Sequence, residues 1–302
     1  MRRRDKIRCL LTVLCLIAVG TGCGNGGGRS GFQTSDRLSV VTTIYPMYDF
    51  AVQIAGDKAE IINLVPAGVE PHDFELSTGD MQMLEQADLF LYNGAGMEPF
   101  VDKTLSALSN EDLVLVEAAV KVDKLENGHR TDPHTWLSIR NAIQECEAIK
   151  DAFVGLDVRN AAYYEENFEA YKKRLEALAE QYRSELTDLA TDTIVVSHEA
   201  FGYLCADYGL KQEAVEGLTA ESEPDSARMK EIVDFCREKN IKVIFFEELV
   251  SPKVAQTIAD EVGADTAVLN PIEGLTVEQE SEGLDYIGLM QENLESLKKA
   301  LK

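Results

Sequence analysis

The chain has 302 residues, of which 45% are hydrophobic and 27% are charged. This composition is typical of a globular protein with a buried core, and the length suits two compact domains. With 53 acidic and 29 basic residues, the net charge of −24 argues against nucleic acid as a partner, because phosphates need Lys and Arg. An acidic balance fits a cationic ligand, although it can also serve solubility alone.

The first 22 residues predict an export signal. A basic start is followed by the apolar run 9–19, which is shorter than the roughly 20 residues that span a bilayer. Small residues then lead to Cys23, as in a lipoprotein signal whose cysteine carries the lipid, although Gly20 stands where the usual pattern has Leu. Residues 23–36 predict the lipidated cysteine and a flexible tether. We therefore expect an extracytoplasmic protein anchored to the cell membrane through Cys23.

Eight short runs rich in β-branched residues predict strands, in two groups of four. The runs are Leu38–Ile44, Ala59–Val65, Asp88–Tyr92, Leu113–Val116, Thr193–Val196, Gln212–Val215, Ile241–Phe246 and Thr266–Leu269. Helical patterns separate most of them, and such alternation is typical of parallel α/β sheets. We predict an α/β fold of two similar lobes, each with a four-stranded, mostly parallel sheet flanked by helices.

A long helical pattern lies between the two groups. Apolar residues recur at steps of three and four from Tyr164 to Leu189, as on one face of a helix. Asp157 is a candidate N-cap, and an uninterrupted helix from there would measure nearly 50 Å at about 1.5 Å per residue. We predict that residues 157–190 form a rigid helix joining an N-terminal lobe, residues 37–156, to a C-terminal lobe, residues 191–302. A packed helix inside one larger domain is the alternative.

The last apolar pattern, Glu282–Leu301, predicts an amphipathic helix that covers the second sheet, despite Gly288 within it. Three cysteines remain after the export segment and Cys23. They lie in apolar helical patterns without CxxC spacing, which predicts buried thiols and leaves one disulfide as an alternative. These cysteines are Cys146, Cys205 and Cys236.

Three of the four histidines lie in loops that suit a binding site. His72 lies in a loop with two prolines after the second strand, His134 lies between a proline and the only Trp, and His198 directly follows the fifth strand. Ligands of open α/β sheets gather beyond the carboxyl ends of strands, and neutral imidazole is a good zinc ligand. The wide spacing carries no local metal motif, so each histidine taken alone could equally be a hydrogen-bonded loop residue.

Five segments closely resemble the zinc and manganese receptors of ABC importers, the adhesin-type or cluster A-I solute-binding lipoproteins. They are Pro66–Glu75, Tyr92–Pro99, Asp132–Ser138, Ser197–Tyr203 and Leu269–Thr276. The resemblance runs from about Leu38 to the C-terminus. It implies two α/β lobes joined by a rigid helix with the metal between them, and delivery of that metal to a membrane permease. We expect a monomer.

The resemblance also implies the ligands. His72, His134 and His198 fall on three ligand positions, and the acidic residue of the final loop falls on Glu273. Without the resemblance, Glu273 would be one exposed loop carboxylate among many. Neighbouring polar residues are secondary candidates: Asp132 and Glu199 as partners of the histidine rings, and Asn270 as the residue that positions the final loop.

Three imidazoles and one carboxylate suit four-coordinate Zn²⁺. Manganese prefers more oxygen, and manganese members of the family typically have Glu where this chain has His198, so zinc is predicted and Mn²⁺ is the alternative. The fourth histidine, His129, lies in a short loop without the His-rich run of many zinc receptors, and we expect it to be a solvated loop residue.

Two other functions compete with transport. A zinc hydrolase would result if Glu273 were a general base rather than a ligand. The chain has no HExxH or other hydrolase motif, so we predict that it is not an enzyme. An adhesin for host or matrix proteins is suggested only by the family label, since no surface motif supports it.

Overall fold

The computed structural model describes residue 32 and residues 36–127, 130–218 and 224–302. The predictions for the export segment, for Cys23 and for His129 lie outside these residues. Within the described ranges, no helix combines the length and apolarity needed to cross a membrane.

Strands and helices alternate along most of the chain. The strands are β1 (Leu38–Thr42), β2 (Ala59–Asn63), β3 (Leu89–Tyr92), β4 (Val114–Glu117), β5 (Glu126–Asn127), β6 (Arg130–Thr131), β7 (Thr193–Val196), β8 (Lys211–Ala214), β9 (Val243–Phe246) and β10 (Asp265–Val268). The helices are α1 (Tyr45–Ala55), α2 (Thr78–Leu84), α3 (Val101–Ala107), α4 (Ile139–Leu156), α5 (Ala161–Glu185), α6 (Gly202–Tyr208), α7 (Ser226–Lys239), α8 (Lys253–Val262), α9 (Val277–Glu282) and α10 (Tyr286–Leu301).

The two four-stranded sheets have the same topology. The first has the order β2-β1-β3-β4 and the second, read from its other edge, has the order β8-β7-β9-β10. All neighbouring strands in both sheets are parallel. The predicted α/β fold with two similar lobes is therefore confirmed. The β5–β6 hairpin was not predicted, because two residues per strand are too few to give a periodic pattern.

The long helix is present but shorter than predicted. The helix α5 begins at Ala161, and the preceding turn Val158–Asn160 is a 3-10 helix with Asp157 at its N-cap position. Asp157 is therefore not the N-cap of α5; its carboxylate accepts hydrogen bonds from Asn160 and Tyr164. At about 1.5 Å per residue, α5 measures about 37 Å rather than nearly 50 Å.

The apolar face of α5 is buried as the periodicity predicted, against α1, α4 and α10. The largest core cluster runs without interruption from the N-terminal lobe through α5 into the C-terminal lobe. The lobe boundaries 37–156, 157–190 and 191–302 remain a proposal because this core is shared.

Cys146, Cys205 and Cys236 are buried free thiols.

The predicted C-terminal helix is present as α10 but begins at Tyr286 rather than at Glu282, which is the last residue of α9. Gly283 ends α9 in the left-handed conformation with φ 70°, which favours glycine. Asp285 then caps α10 by accepting a hydrogen bond from the backbone N–H of Gly288 at 2.8 Å. Gly288 therefore lies in the first turn of α10, where it helps to start the helix. The helix α10 packs on β10 and also on α5.

One buried carboxyl gives the fold a pH dependence that a single substitution should remove. Burial raises the pKa of Glu145 on α4 from its usual 4.5 to about 7, so the folded protein keeps a proton that the unfolded chain has lost. The stability from this group is fully present below pH 4.5 and declines as the pH rises through 7, by on the order of 3 kcal/mol.

We expect Glu145→Gln, which cannot ionise, to be more stable than the wild type at about pH 8 and little changed at about pH 5. Urea unfolding of both metal-free proteins at the two pH values measures the difference in the free energy of unfolding. An equal difference at both pH values would contradict the assignment.

Candidate metal centre

Four loops bring His72, His134, His198 and Glu273 together. His72 lies in a 3-10 turn between β2 and α2, and His134 immediately precedes a 3-10 turn that leads into α4. His198 follows β7 by two residues, and Glu273 lies between β10 and α9. Three of these loops begin at the carboxyl ends of strands, where parallel sheets collect their binding residues. The four residues that the resemblance implied are thus adjacent in space.

The distances from Glu273 Oε1 to three imidazole nitrogens, and between two of those nitrogens, are those expected in a four-coordinate metal site. Glu273 Oε1 lies 3.5 Å from His72 Nε2, 3.0 Å from His134 Nε2 and 3.3 Å from His198 Nε2. The Nε2 atoms of His134 and His198 are 3.3 Å apart. Neighbouring ligand atoms in a tetrahedral site with bonds of about 2.0–2.1 Å stand roughly 3.3 Å apart. The site is therefore arranged for a small divalent cation.

Burial makes this arrangement costly without a cation. The side chains of His134, His198 and Glu273 are at most 2% exposed, and that of His72 is 5% exposed. Within the described residues, His72 Nε2 and Glu273 Oε1 lack a hydrogen bond of good geometry. Buried polar atoms without partners are destabilising. A bound cation would satisfy both atoms at once.

Two further carboxylates orient two of the imidazoles. Asp132 Oδ1 lies 2.8 Å from His134 Nδ1, and Glu247 Oε1 lies 2.7 Å from His198 Nδ1. Each carboxylate is hydrogen-bonded to the Nδ1 atom of its imidazole and leaves the Nε2 atom directed at the centre of the four-residue cluster. Asp132 was a predicted partner. The carboxylate on the His198 ring belongs to Glu247, which follows the strand next to β7 in the sheet and was not predicted.

The segment after His198 supports Asp132 from the other lobe. Tyr203 donates its hydroxyl to the carbonyl of Asp132 at 3.0 Å and accepts the backbone N–H of Leu125 at 2.9 Å. A Cβ at Gly202 would lie 2.5 Å from Asp132 Oδ2. Glycine at this position therefore leaves the space that the Asp132 carboxylate needs in order to reach His134.

Asn270 fixes the loop that carries Glu273. Its side-chain oxygen accepts the backbone N–H of Ile272 at 2.7 Å, and its backbone is bonded on both sides to the Asn293 side chain. Ile272 is fully buried with φ 59°, a strained conformation for a β-branched residue. The surrounding contacts thus hold the residue next to Glu273 in a conformation it would not adopt alone.

The N-terminal lobe also holds this loop. The backbone N–H of Tyr45 donates to the carbonyl of Glu273 at 3.1 Å. The buried indole N–H of Trp136 donates to the carbonyl of Pro271 at 2.8 Å. Glu273 therefore follows the second sheet in the chain but is fastened to residues of the first lobe.

The charges of the site are strongly coupled. Burial opposes ionisation of Glu273, but the surrounding imidazoles outweigh it and hold the pKa of this carboxyl well below its usual value. Burial likewise opposes protonation of His134 and His198, but neighbouring carboxylates outweigh it: they raise the pKa of His134 and raise that of His198 well above the usual 6.5. The Glu273 carboxylate and the imidazoles of His134 and His198 thus favour each other's charged forms.

Solvent reaches the site beside His72. A cavity of about 450 Å³ is lined by His72, Met97 and Pro133 among others, and a second of about 780 Å³ is lined by His72, Phe74 and Phe100 among others. His72, the least buried of the four clustered residues, thus borders both cavities.

Comparison with known proteins places the chain among zinc-uptake proteins. Residues 40–300 match the family model described as ZnuA, zinc-uptake complex component A, periplasmic. The chain is 39% identical over 303 residues to the high-affinity zinc uptake system protein ZnuA of Bacillus subtilis, covering 95% of each chain. It is 36% identical over 308 residues to the zinc-binding lipoprotein AdcA of Streptococcus pneumoniae, covering 97% of this chain and 60% of AdcA.

Solved structures show the same fold. The zinc-bound ZnuA-like domain of Streptococcus pneumoniae AdcA matches with a TM-score of 0.79 and 38% identity, covering 88% of this chain and 99% of that one. The laminin-binding protein Lmb of Streptococcus agalactiae, described as an adhesin with metal-transporting activity, matches with a TM-score of 0.82 and 32% identity. It covers 88% of this chain and 100% of that one. The predicted family is confirmed.

Zinc binding should release protons from the site. The raised pKa values of His134 and His198 mean that a zinc ion must displace protons, because it binds neutral imidazole. We expect calorimetric titrations at about pH 7, in buffers of different ionisation enthalpy, to show at least one proton released per zinc. The apparent affinity should also fall steadily from about pH 8 to about pH 6. Buffer-independent enthalpies with a flat pH profile would contradict this.

Proposed function

We propose, from the premise that this chain belongs to the ZnuA family of periplasmic zinc-uptake components, that the protein captures one Zn²⁺ outside the cytoplasm and delivers it to the permease of an ABC importer. The observation that carries the proposal is the convergence of three Nε2 atoms on Glu273 Oε1 at 3.0–3.5 Å. We infer that His72, His134, His198 and Glu273 are the four ligands of the transported ion.

Zinc is favoured over manganese by the ligand set. Three nitrogens and one carboxylate oxygen match the borderline-soft preference of Zn²⁺, whereas Mn²⁺ favours oxygen-rich sites of higher coordination number. The zinc-uptake family points the same way. His198 is central to this choice, because it supplies nitrogen at the position where manganese members of the family typically have Glu.

Glu273 is a ligand in this proposal rather than a general base. Catalytic zinc keeps an open position for water beside three protein ligands. Here Glu273 Oε1 lies 3.0 and 3.3 Å from the Nε2 atoms of His134 and His198, which are themselves 3.3 Å apart. We therefore infer a closed site that carries its ion without catalysis. An adhesive role rests only on the similarity to the laminin-binding protein, and the buried cluster cannot itself form an adhesive surface.

We further propose that the protein works as a monomer attached to the membrane through a lipid on Cys23. The segment before the fold supports this anchor, since a basic start and a short apolar run precede Cys23. We expect Cys23→Ser to move the protein from the membrane fraction into the soluble extracytoplasmic fraction of expressing cells while its zinc affinity stays unchanged. Retention in the membrane fraction would contradict the anchor.

Removal of a ligand should strongly weaken zinc binding. We expect the wild type to bind one zinc, and Glu273→Ala and His198→Ala each to weaken binding by more than ~100-fold, beyond what outer-shell partners contribute. Competition against a zinc chelator measures the affinity, and metal analysis gives the stoichiometry. Glu278→Ala is the matched control, because Glu278 is an exposed carboxylate of the neighbouring helix α9.

Three outcomes would count against the proposal. Unchanged affinity in Glu273→Ala would remove Glu273 from the ligand set. Tighter binding of Mn²⁺ than of Zn²⁺ at equal free concentrations would reverse the choice of metal. Hydrolysis of an activated ester by the zinc-loaded wild type, lost in Glu273→Ala, would favour an enzyme.

A further inference from the structure

The same topological position in each lobe carries a buried polar side chain. The third strands of the two sheets are β3 and β9, and the residues directly after them are Asn93 and Glu247. Asn93 is fully buried and Glu247 is 3% exposed. In each sheet the third strand lies beside the first, at the point where the strand order reverses and α/β sheets open a crevice. Both side chains therefore lie at the base of a ligand-binding crevice.

Glu247 contacts a ligand ring directly. Its Oε1 lies 2.7 Å from His198 Nδ1, and the same oxygen accepts the backbone N–H of His198 at 3.3 Å. A carboxylate that accepts the Nδ1 proton fixes the tautomer and leaves the Nε2 lone pair free for a metal. The backbone contact fixes the position of the residue as well as the plane of its ring.

Asn93 holds the residues on both sides of His134. Its Nδ2 donates to the carbonyl of Pro133 at 2.9 Å, and its Oδ1 accepts the hydroxyl of Thr135 at 3.0 Å. Asn93 is held in turn by Glu98, which accepts its backbone N–H at 2.8 Å. The amide thus clamps the loop on either side of His134, while Asp132 orients the ring itself.

We propose that Asn93 and Glu247 are equivalent positioning residues, one in each lobe, that hold His134 and His198 with Nε2 directed at the common centre. This rests on the proposed function, in which those nitrogens bind zinc. The two lobes hold their histidines with different side chains. The second contacts its ligand ring with a carboxylate, whereas the first uses an amide, because Asp132 already occupies the ring nitrogen of His134.

The test compares variants that separate hydrogen bonding from charge. Glu247→Gln keeps an acceptor for Nδ1 but loses the charge, whereas Glu247→Ala loses both. We expect Glu247→Ala to weaken zinc binding by about 10–100-fold and Glu247→Gln to recover part of the loss. We expect Asn93→Ala to weaken binding by about 10-fold or more. The visible absorption of bound Co²⁺ should shift in each variant, because it reports the geometry of the ligands.

Two controls isolate positioning from general destabilisation. Asn167→Ala removes an amide that donates to the Ile54 carbonyl at 2.9 Å, and Asp49→Asn alters a buried carboxylate held by the Tyr171 hydroxyl at 2.9 Å. Both lie outside the site and should leave zinc affinity and the Co²⁺ spectrum unchanged, whatever they do to urea unfolding. If Asn93→Ala does not fold, Thr135→Val tests the same clamp by removing only the hydroxyl bonded to Asn93.

The equivalence of the two positions would be overturned if Glu247→Ala kept the zinc affinity and Co²⁺ spectrum of the wild type. It would also be overturned if Asn93→Ala and Thr135→Val both kept them. Equal loss in Glu247→Gln and Glu247→Ala would overturn the positioning role of the Glu247 hydrogen bond. Failure of the wild type itself to bind zinc would be a different result, because it would refute the proposed function.

Discussion

The arrangement of the site depends on a single buried carboxylate oxygen, Glu273 Oε1. An ionised group removed from water is destabilising unless opposite charges or donors surround it, and here the Nε2 atoms of three imidazoles from three separate loops lie 3.0–3.5 Å from the carboxylate oxygen. The same arrangement that stabilises the carboxylate leaves four ligand atoms facing one point. The cation affinity that we propose for the site is thus a consequence of how the fold accommodates a buried charge.

The two lobes hold each other's ligand loops. Tyr203 of the C-terminal lobe bonds the backbone beside His134, and Trp136 of the N-terminal lobe bonds the loop of Glu273. The hydrophobic core also runs through α5 from one lobe to the other. Separation of the lobes as rigid bodies would break these bonds and expose that core. Rearrangement of short loops around the site disturbs far less of the structure.

Much of the architecture was accessible from the sequence, because strands with β-branched runs and the apolar face of α5 follow local periodicity. The ends of helices were less accessible. Asp157 precedes a 3-10 turn rather than α5, and Gly283 ends α9 and so delays the start of α10; both ends depend on the conformation of single residues. The loop positions of His72, His134 and His198 made them candidates, but Glu273 could be named only through family resemblance, since no spacing reveals residues assembled from distant loops. Glu247 was missed because its role depends on which strands are neighbours, which periodicity does not encode.

The position of Trp136 has a spectroscopic consequence. It is the only tryptophan of the chain, its ring centroid lies 5.6 Å from that of His134, and its N–H holds the loop of Glu273. All indole fluorescence of the protein therefore originates at the wall of the site. A change in the His134 ring or in the Pro271 carbonyl alters the surroundings of that fluorophore directly. If the site binds zinc as proposed, the intrinsic fluorescence of Trp136 should report its occupancy without any added label.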